Sequence, residues 1–194
     1  MASPLLDAAA LLTDLPMIHV TDATPGFLGE VYGKTIPASV HHREARVLAR
    51  ATAVYSSQMM AKRAAADFGR PLSRILSLPF GVNFKTLPPQ TPKPSLGTRL
   101  NLLYVGGEWT RKGGTLMIES FLELRARGRN AHLTIVGHVP AMLKAELQAR
   151  DDITLTGFLD KNRSHHLNRL SHMFAQAHLL VLPTRADCTP MVIA

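Results

Sequence analysis

The stretch YVGGEWTRKGG, residues 104–114, holds the residue types best suited to gripping an anion. Gly106 and Gly107 carry no side chain to hold a ligand away from the backbone. Arg111 and Lys112 stand where the next helix would begin. A helix start presents amides without intrahelical partners and the positive end of the helix dipole, and two cations beside it suit a phosphate. The segment is not a Walker loop, because its glycine–lysine spacing differs and neither Ser nor Thr follows Lys112 directly. A solvated basic helix cap is the alternative reading of the same residues.

Three further stretches end apolar runs in the same way. TIVGHVP (134–140) closes on Gly137 and His138, and TLTGFLD (154–160) on Gly157 and Phe158. His138 is either a ligand contact or a surface residue. Phe158 either packs near a nucleobase, with backbone contacts from Gly157, or serves as a core aromatic at a turn. The last stretch, LPTRADCTPMVIA (182–194), carries Asp187 ahead of a second helix start. Amides around Thr189, Pro190 and Met191 would meet a sugar or phosphate there, and Asp187 would accept hydroxyl hydrogen bonds. Taken alone, Asp187 also fits a helix cap. His165, His166 and His172 share a segment with no Cys or Glu to complete a ligand set, so no metal is expected. Neither a CxxC nor a nucleophile–His–Asp arrangement is present.

These stretches make sense as the carboxyl ends of parallel strands, where open α/β sheets bind ligands. Apolar runs at 100–107, 131–137, 152–158 and 178–184 read as strands, and 115–128, 140–150 and 163–177 as helices. Strict alternation of the two argues for a parallel, Rossmann-like sheet. The earlier part is less regular: strands at 17–24, 51–57 and 73–83, and helices at 42–51 and 57–69. Ser57 is expected to cap the second of these helices and Gly69 to stop it. Between the halves, KTLPPQTPKPSLGT (85–98) is proline-rich and reads as an extended linker. The organisation expected is therefore 1–84, a linker at 85–98, and 99–194.

The composition excludes several function classes. With 46% hydrophobic and 19% charged residues, the chain can build an ordinary core. No run approaches the length of a membrane span, and the N-terminus, with Asp7 and Asp14 and no positive region, makes a poor signal peptide. A single cysteine, Cys188, fits a reducing compartment, so a cytoplasmic location is expected. The net charge of +8 attracts anions, but the basic residues are scattered and only 6% of residues are aromatic. That is not the footprint of a nucleic-acid binder.

Read together, these segments resemble the retaining glycosyltransferases of family 4, the "group 1" enzymes, whose GT-B fold pairs two Rossmann-like domains. PFGVN (79–83) resembles the family's Pro-x-Gly-Val-Asp/Asn turn, and YVGGEWTRKGG its Val-Gly-x-x-Trp-x-Arg-Lys-Gly phosphate segment. LTIVG and LTGFLD resemble the strands flanking the nucleotide base. LPTRADCTPMVIA resembles the start of the Glu–seven residues–Glu motif. TDATPGFL and SQMMAKRAAADFG resemble later parts of the acceptor-side domain.

The resemblance implies transfer of a hexose, with retained configuration, from a UDP- or GDP-type sugar to a sugar, lipid-linked or small-molecule alcohol. Arg111 and Lys112 would hold the diphosphate without a metal, and Asp187 would stand in the first acidic position, as Asp rather than Glu. Residues 1–84 would be the later part of the acceptor-side domain and 99–194 the donor domain. The second acid would fall just beyond Ala194, and the N-terminal Gly-rich loop is not recognised. Both domains are thus expected to be incomplete, and these 194 residues to be weakly active or inactive. No cofactor and no nucleic-acid partner are implied, while peripheral contact with the inner face of a membrane is allowed. A non-catalytic module binding nucleotides or polyanions is the competing expectation.

Overall fold

The computed structural model describes residues 15–81, 92, 94, 95, 97–185 and 187. The described residues divide into two compact units: one runs from 15 to 81 and includes Asp187, the other ends at Arg185. The sequence pattern assigns Asp187 to the second half, whereas by contacts it groups with the first. Most of the proline-rich 85–98 segment lies outside the described residues.

In the second unit, strands and helices alternate as β4 (Leu100–Gly106), α4 (Gly114–Ala126), β5 (Ala131–Gly137), α5 (Ala141–Gln148), β6 (Ile153–Gly157), α6 (Ser164–Gln176) and β7 (Leu179–Leu180). The sheet order is β6-β5-β4-β7, with every neighbouring pair parallel. A parallel sheet must be covered on both faces. On one face, Leu102, Leu133 and Ile135 pack against Met117, Ile118 and Phe121 of α4. On the other, Leu103 and Val136 meet Leu170, Met173 and Phe174 of α6. Phe121 is fully buried, and removing such a ring from a core costs about 3–5 kcal/mol.

The HLLVLPT run forms far less strand than its composition suggests. Only Leu179 and Leu180 pair with β4, with flanking bonds from His178 N to Asn101 O and from Val181 N to Leu103 O. Pro183 has no N–H to give the ladder, and the chain leaves the sheet there.

In the first unit the order is β1 (Ile18–Thr21), α1 (Pro25–Tyr32), α2 (Ala38–Arg50), β2 (Thr52–Tyr55), α3 (Gln58–Phe68), a 3-10 turn (Leu72–Arg74) and β3 (Ile75–Ser77). β1, β2 and β3 form a parallel sheet in that order. Ser57 caps α3 by accepting from Met60 N, and Gly69 ends it in the left-handed region at φ 60°. The sequence pattern, which reads 17–24 as a strand running into a loop, does not anticipate helix α1. It is nevertheless well signalled. Thr24 Oγ1 accepts from Phe27 N, Pro25 opens the helix, and Gly33 closes it at φ 59°.

Beneath this sheet lies a polar cluster: Glu44 is 1% exposed, and its Oε1 stands 3.5 Å from both His19 Nε2 and the Tyr55 hydroxyl. Burial, followed by the adjacent Glu44 charge, pushes the Tyr55 phenol well above its usual range.

Candidate functional site

Three strand ends of the second unit lie side by side. β4 and β5 run in register to their last residues, which pair Gly106 with Gly137, and β6 ends beside β5 at Gly157. Close approach explains the first two glycines. Gly137 has φ 129°, a conformation L side chains rarely adopt, and a Cβ there would collide with the Gly106 carbonyl oxygen. The sheet can finish this tightly only because neither strand end carries a side chain.

After Gly106 the chain folds into a turn that leads into α4. Lys112 N donates to Glu108 O at 2.8 Å, Gly113 N to Thr110 O at 3.3 Å, and Gly114 N to Trp109 O at 2.8 Å. These amides are spent inside the turn, so its grip on an anion rests on side chains more than the sequence pattern implies. Trp109 anchors the turn from below. It is nearly buried, its Nε1 donates to Thr115 Oγ1 at 3.0 Å, and Gly114 leaves room for its ring. Arg111 donates to Glu108 Oε1 at 2.8 Å. That hydrogen bond, together with the guanidinium charge, holds the Glu108 carboxyl below its ordinary range.

The turn is tied to the end of the sheet through a single carbonyl. Arg111 O accepts from Arg185 N at 2.9 Å and from Thr184 Oγ1 at 3.1 Å. Gly113, at φ 74°, sits where a Cβ would strike the Pro183 carbonyl. The 182–185 segment thus packs on the cation turn, although it makes no strand.

At the neighbouring strand ends, His138 and Phe158 face each other. Their rings are stacked, with centroids 5.6 Å apart and planes 7° from parallel. Phe158 is 60% exposed, so it is not the core aromatic of the alternative reading.

Gly106, Gly107, Arg111, Lys112, Gly137, His138, Gly157 and Phe158 therefore all belong to adjoining strand ends of one sheet and the turns that follow them. Asp187 is half-buried and groups with the first unit. Thr189, Pro190 and Met191 lie outside the described residues. His165 and His166 have ring centroids 4.3 Å apart, and His166 Nδ1 accepts from Asp160 N. Among the described residues no three of His, Cys, Asp or Glu converge as metal ligands. None of their helices is long and apolar enough to cross a membrane. In the first unit an open groove of about 430 Å³ runs along α1, with Glu30, Lys34 and His41 on its lining.

Residues 99–194 match the model of the family described as "Glycosyl transferases group 1". This half of the chain belongs to the group 1 glycosyl transferases. Among solved structures, the apo form of the lipopolysaccharide outer core galactosyltransferase WaaB is similar to 97% of the chain, at a TM-score of 0.59 and 16% identity. The chain spans 56% of that structure's length. At such identity the likeness concerns the fold, the Rossmann-like α/β fold of GT-B proteins. A search of the curated proteins finds no match.

Within the group 1 domain, three further residues shape the site: Trp109, which the phosphate-segment motif contains without a role of its own, and Thr184 and Tyr104, which the sequence does not single out. Trp109 and Thr184 hold the turn from two sides. Tyr104 lies under it, with a buried hydroxyl that has no hydrogen-bond partner. The visible signal for Tyr104 is a lone aromatic residue in the LNLLYVG strand, two residues before the first of the paired glycines.

Proposed function

We propose that the chain acts in sugar transfer as a retaining glycosyltransferase of the group 1 type. It would take a hexose from a UDP- or GDP-type sugar and pass it to an alcohol. One observation carries this reading: a stacked His138–Phe158 pair and an Arg111–Lys112 turn belong to adjoining strand ends of one parallel sheet. An aromatic surface suits a nucleobase, and cations suit the diphosphate whose negative charge grows as it leaves. The family membership of residues 99–194 supports the same chemistry.

In this reading Lys112 and Arg111 take the place of a metal, and Asp187 stands near the transferred sugar. Thr189 and Met191 would offer backbone N–H groups to the sugar or to the distal phosphate, while Pro190 has none to give. Acceptor choice belongs to the first unit, where the groove along α1 presents Lys34 and His41. The acceptor is a sugar, a lipid-linked glycan or another small alcohol, met in the cytoplasm or at the inner face of the membrane.

Calorimetric titration with UDP, GDP and a short DNA duplex tests the donor half of this proposal. Selective binding of one nucleoside diphosphate, weakened in Lys112→Ala, is the expected result. Preference for DNA with steep salt dependence would instead assign the chain to polyanion-binding modules. The net charge of +8 gives that second reading its footing.

A further inference from the structure

β4 directs Tyr104 onto the α4 face of the sheet, in the same core cluster as Trp109 and Phe121. The residue is 1% exposed, and its hydroxyl makes no hydrogen bond. The ring reaches along the strand toward its carboxyl end: a Cβ placed on Gly106 would stand 2.5 Å from the phenolic oxygen. Trp109 packs edge-on against the ring, with centroids 5.9 Å apart, but its N–H is already given to Thr115. The orphan hydroxyl therefore ends directly under the glycine–cation turn, next to backbone that carries no side chain.

An unmade hydrogen bond of this kind costs about 1–3 kcal/mol, which a phenylalanine of the same shape would avoid. Burial pushes the Tyr104 hydroxyl up to about 12, against a smaller opposing effect of the Arg111 charge. At neutral pH the group is thus a protonated donor in need of an acceptor. The cations of the turn favour an anionic acceptor, and the bare backbone at Gly106 and Gly107 leaves an approach for one.

We infer that Tyr104 is a ligand-positioning residue, whose hydroxyl gains its partner when a phosphate oxygen of a nucleoside diphosphate seats under the 107–113 turn. The inference rests on the donor-site reading proposed above. The space for an approaching oxygen lies beside Gly107, where an added Cβ would meet nothing. The tyrosine would then sense the diphosphate and not the base.

The test compares the full chain with Tyr104→Phe, a variant that fills the same volume, by titration with UDP, GDP and the matching nucleosides. Tyr104→Phe should bind the preferred diphosphate about tenfold more weakly and its nucleoside unchanged, as expected for losing one hydrogen bond to a charged oxygen. Its melting temperature without ligand should equal or exceed that of the parent. Equal diphosphate affinity in the two chains would overturn the Tyr104 assignment while leaving the donor site standing. A parent chain that binds no nucleoside diphosphate would overturn both.

Discussion

The imidazole of His138 and the ring of Phe158 lie stacked at 5.6 Å just past the ends of β5 and β6. A ring left 60% exposed contributes little to the core, so its stacking is available for a third flat partner. Phe158→Ala should weaken nucleoside binding about threefold to tenfold, the range for one aromatic contact, and leave pyrophosphate binding unchanged. The melting temperature should hardly move. Parallel titrations with nucleoside and pyrophosphate separate these effects, and equal loss for both ligands would count against a base platform.

The Arg111–Glu108 pair makes a prediction of opposite sign. Glu108 occupies a guanidinium that an incoming phosphate also needs. Glu108→Gln should therefore tighten pyrophosphate binding about threefold at low salt, and the gain should fade as ionic strength rises. Lys112→Ala should weaken the same binding about tenfold. Weaker binding by Glu108→Gln would show that the carboxylate orders the turn more than it competes.

Gly137 tests the geometry of the strand ends. An alanine there must adopt φ 129° and push its Cβ into the Gly106 carbonyl. Backbone strain alone is worth about 1–3 kcal/mol, with the collision added to it. Gly137→Ala should lose at least that much in denaturant unfolding, whereas Gly128→Ala, at a left-handed position with open space around it, should lose less. Equal losses would mean that the close approach of β4 and β5 is easily relaxed.

Asp152 gives the domain a predictable acid response. Arg150 binds it through two nitrogens at 2.7 and 2.8 Å, and Arg125 adds a third contact at 3.0 Å. The hydrogen bonds from Arg150 lead in holding the carboxyl below its usual range, and those from Arg125 add to them. A lowered pKa means that the stabilisation is complete above the ordinary aspartate value of about 4. It is lost as pH falls through the lower, folded value. Asp152→Asn should thus be less stable by about 2 kcal/mol at neutral pH, with the gap closing in acid. Unfolding curves at several pH values check this, and a gap independent of pH would remove the carboxylate from the account.

Much of the second unit is legible because its strands are mainly apolar runs, with β4, β5 and β6 closed by glycine, and its helices carry apolar faces. The first unit is harder to read, and α1 shows why. Thr24, Pro25 and Gly33 signal its ends, but the PGFLGEVY segment between them is only eight residues long, too short for its apolar spacing to stand out as a helical period. The opposite failure occurs at HLLVLP, where a run of four aliphatic residues supplies just two strand residues because Pro183 interrupts the ladder. For the site, the glycine–cation segment and the Gly137, His138, Gly157 and Phe158 ends are visible as residue types at strand ends. The stacking of His138 on Phe158 is not, because it depends on which strands are neighbours. Tyr104 is invisible as a site residue because a phenol in a strand normally reads as core.

The doubly accepted carbonyl of Arg111 limits how portable the anion-gripping turn can be. Lifting residues 106–114 into a foreign scaffold would leave that oxygen without the threonine hydroxyl and the arginine amide that hold it, and Gly113 without the proline surface it was shaped to meet. A graft must therefore include the 183–185 segment. By the same logic, loop exchanges among relatives should succeed in matched pairs and fail singly.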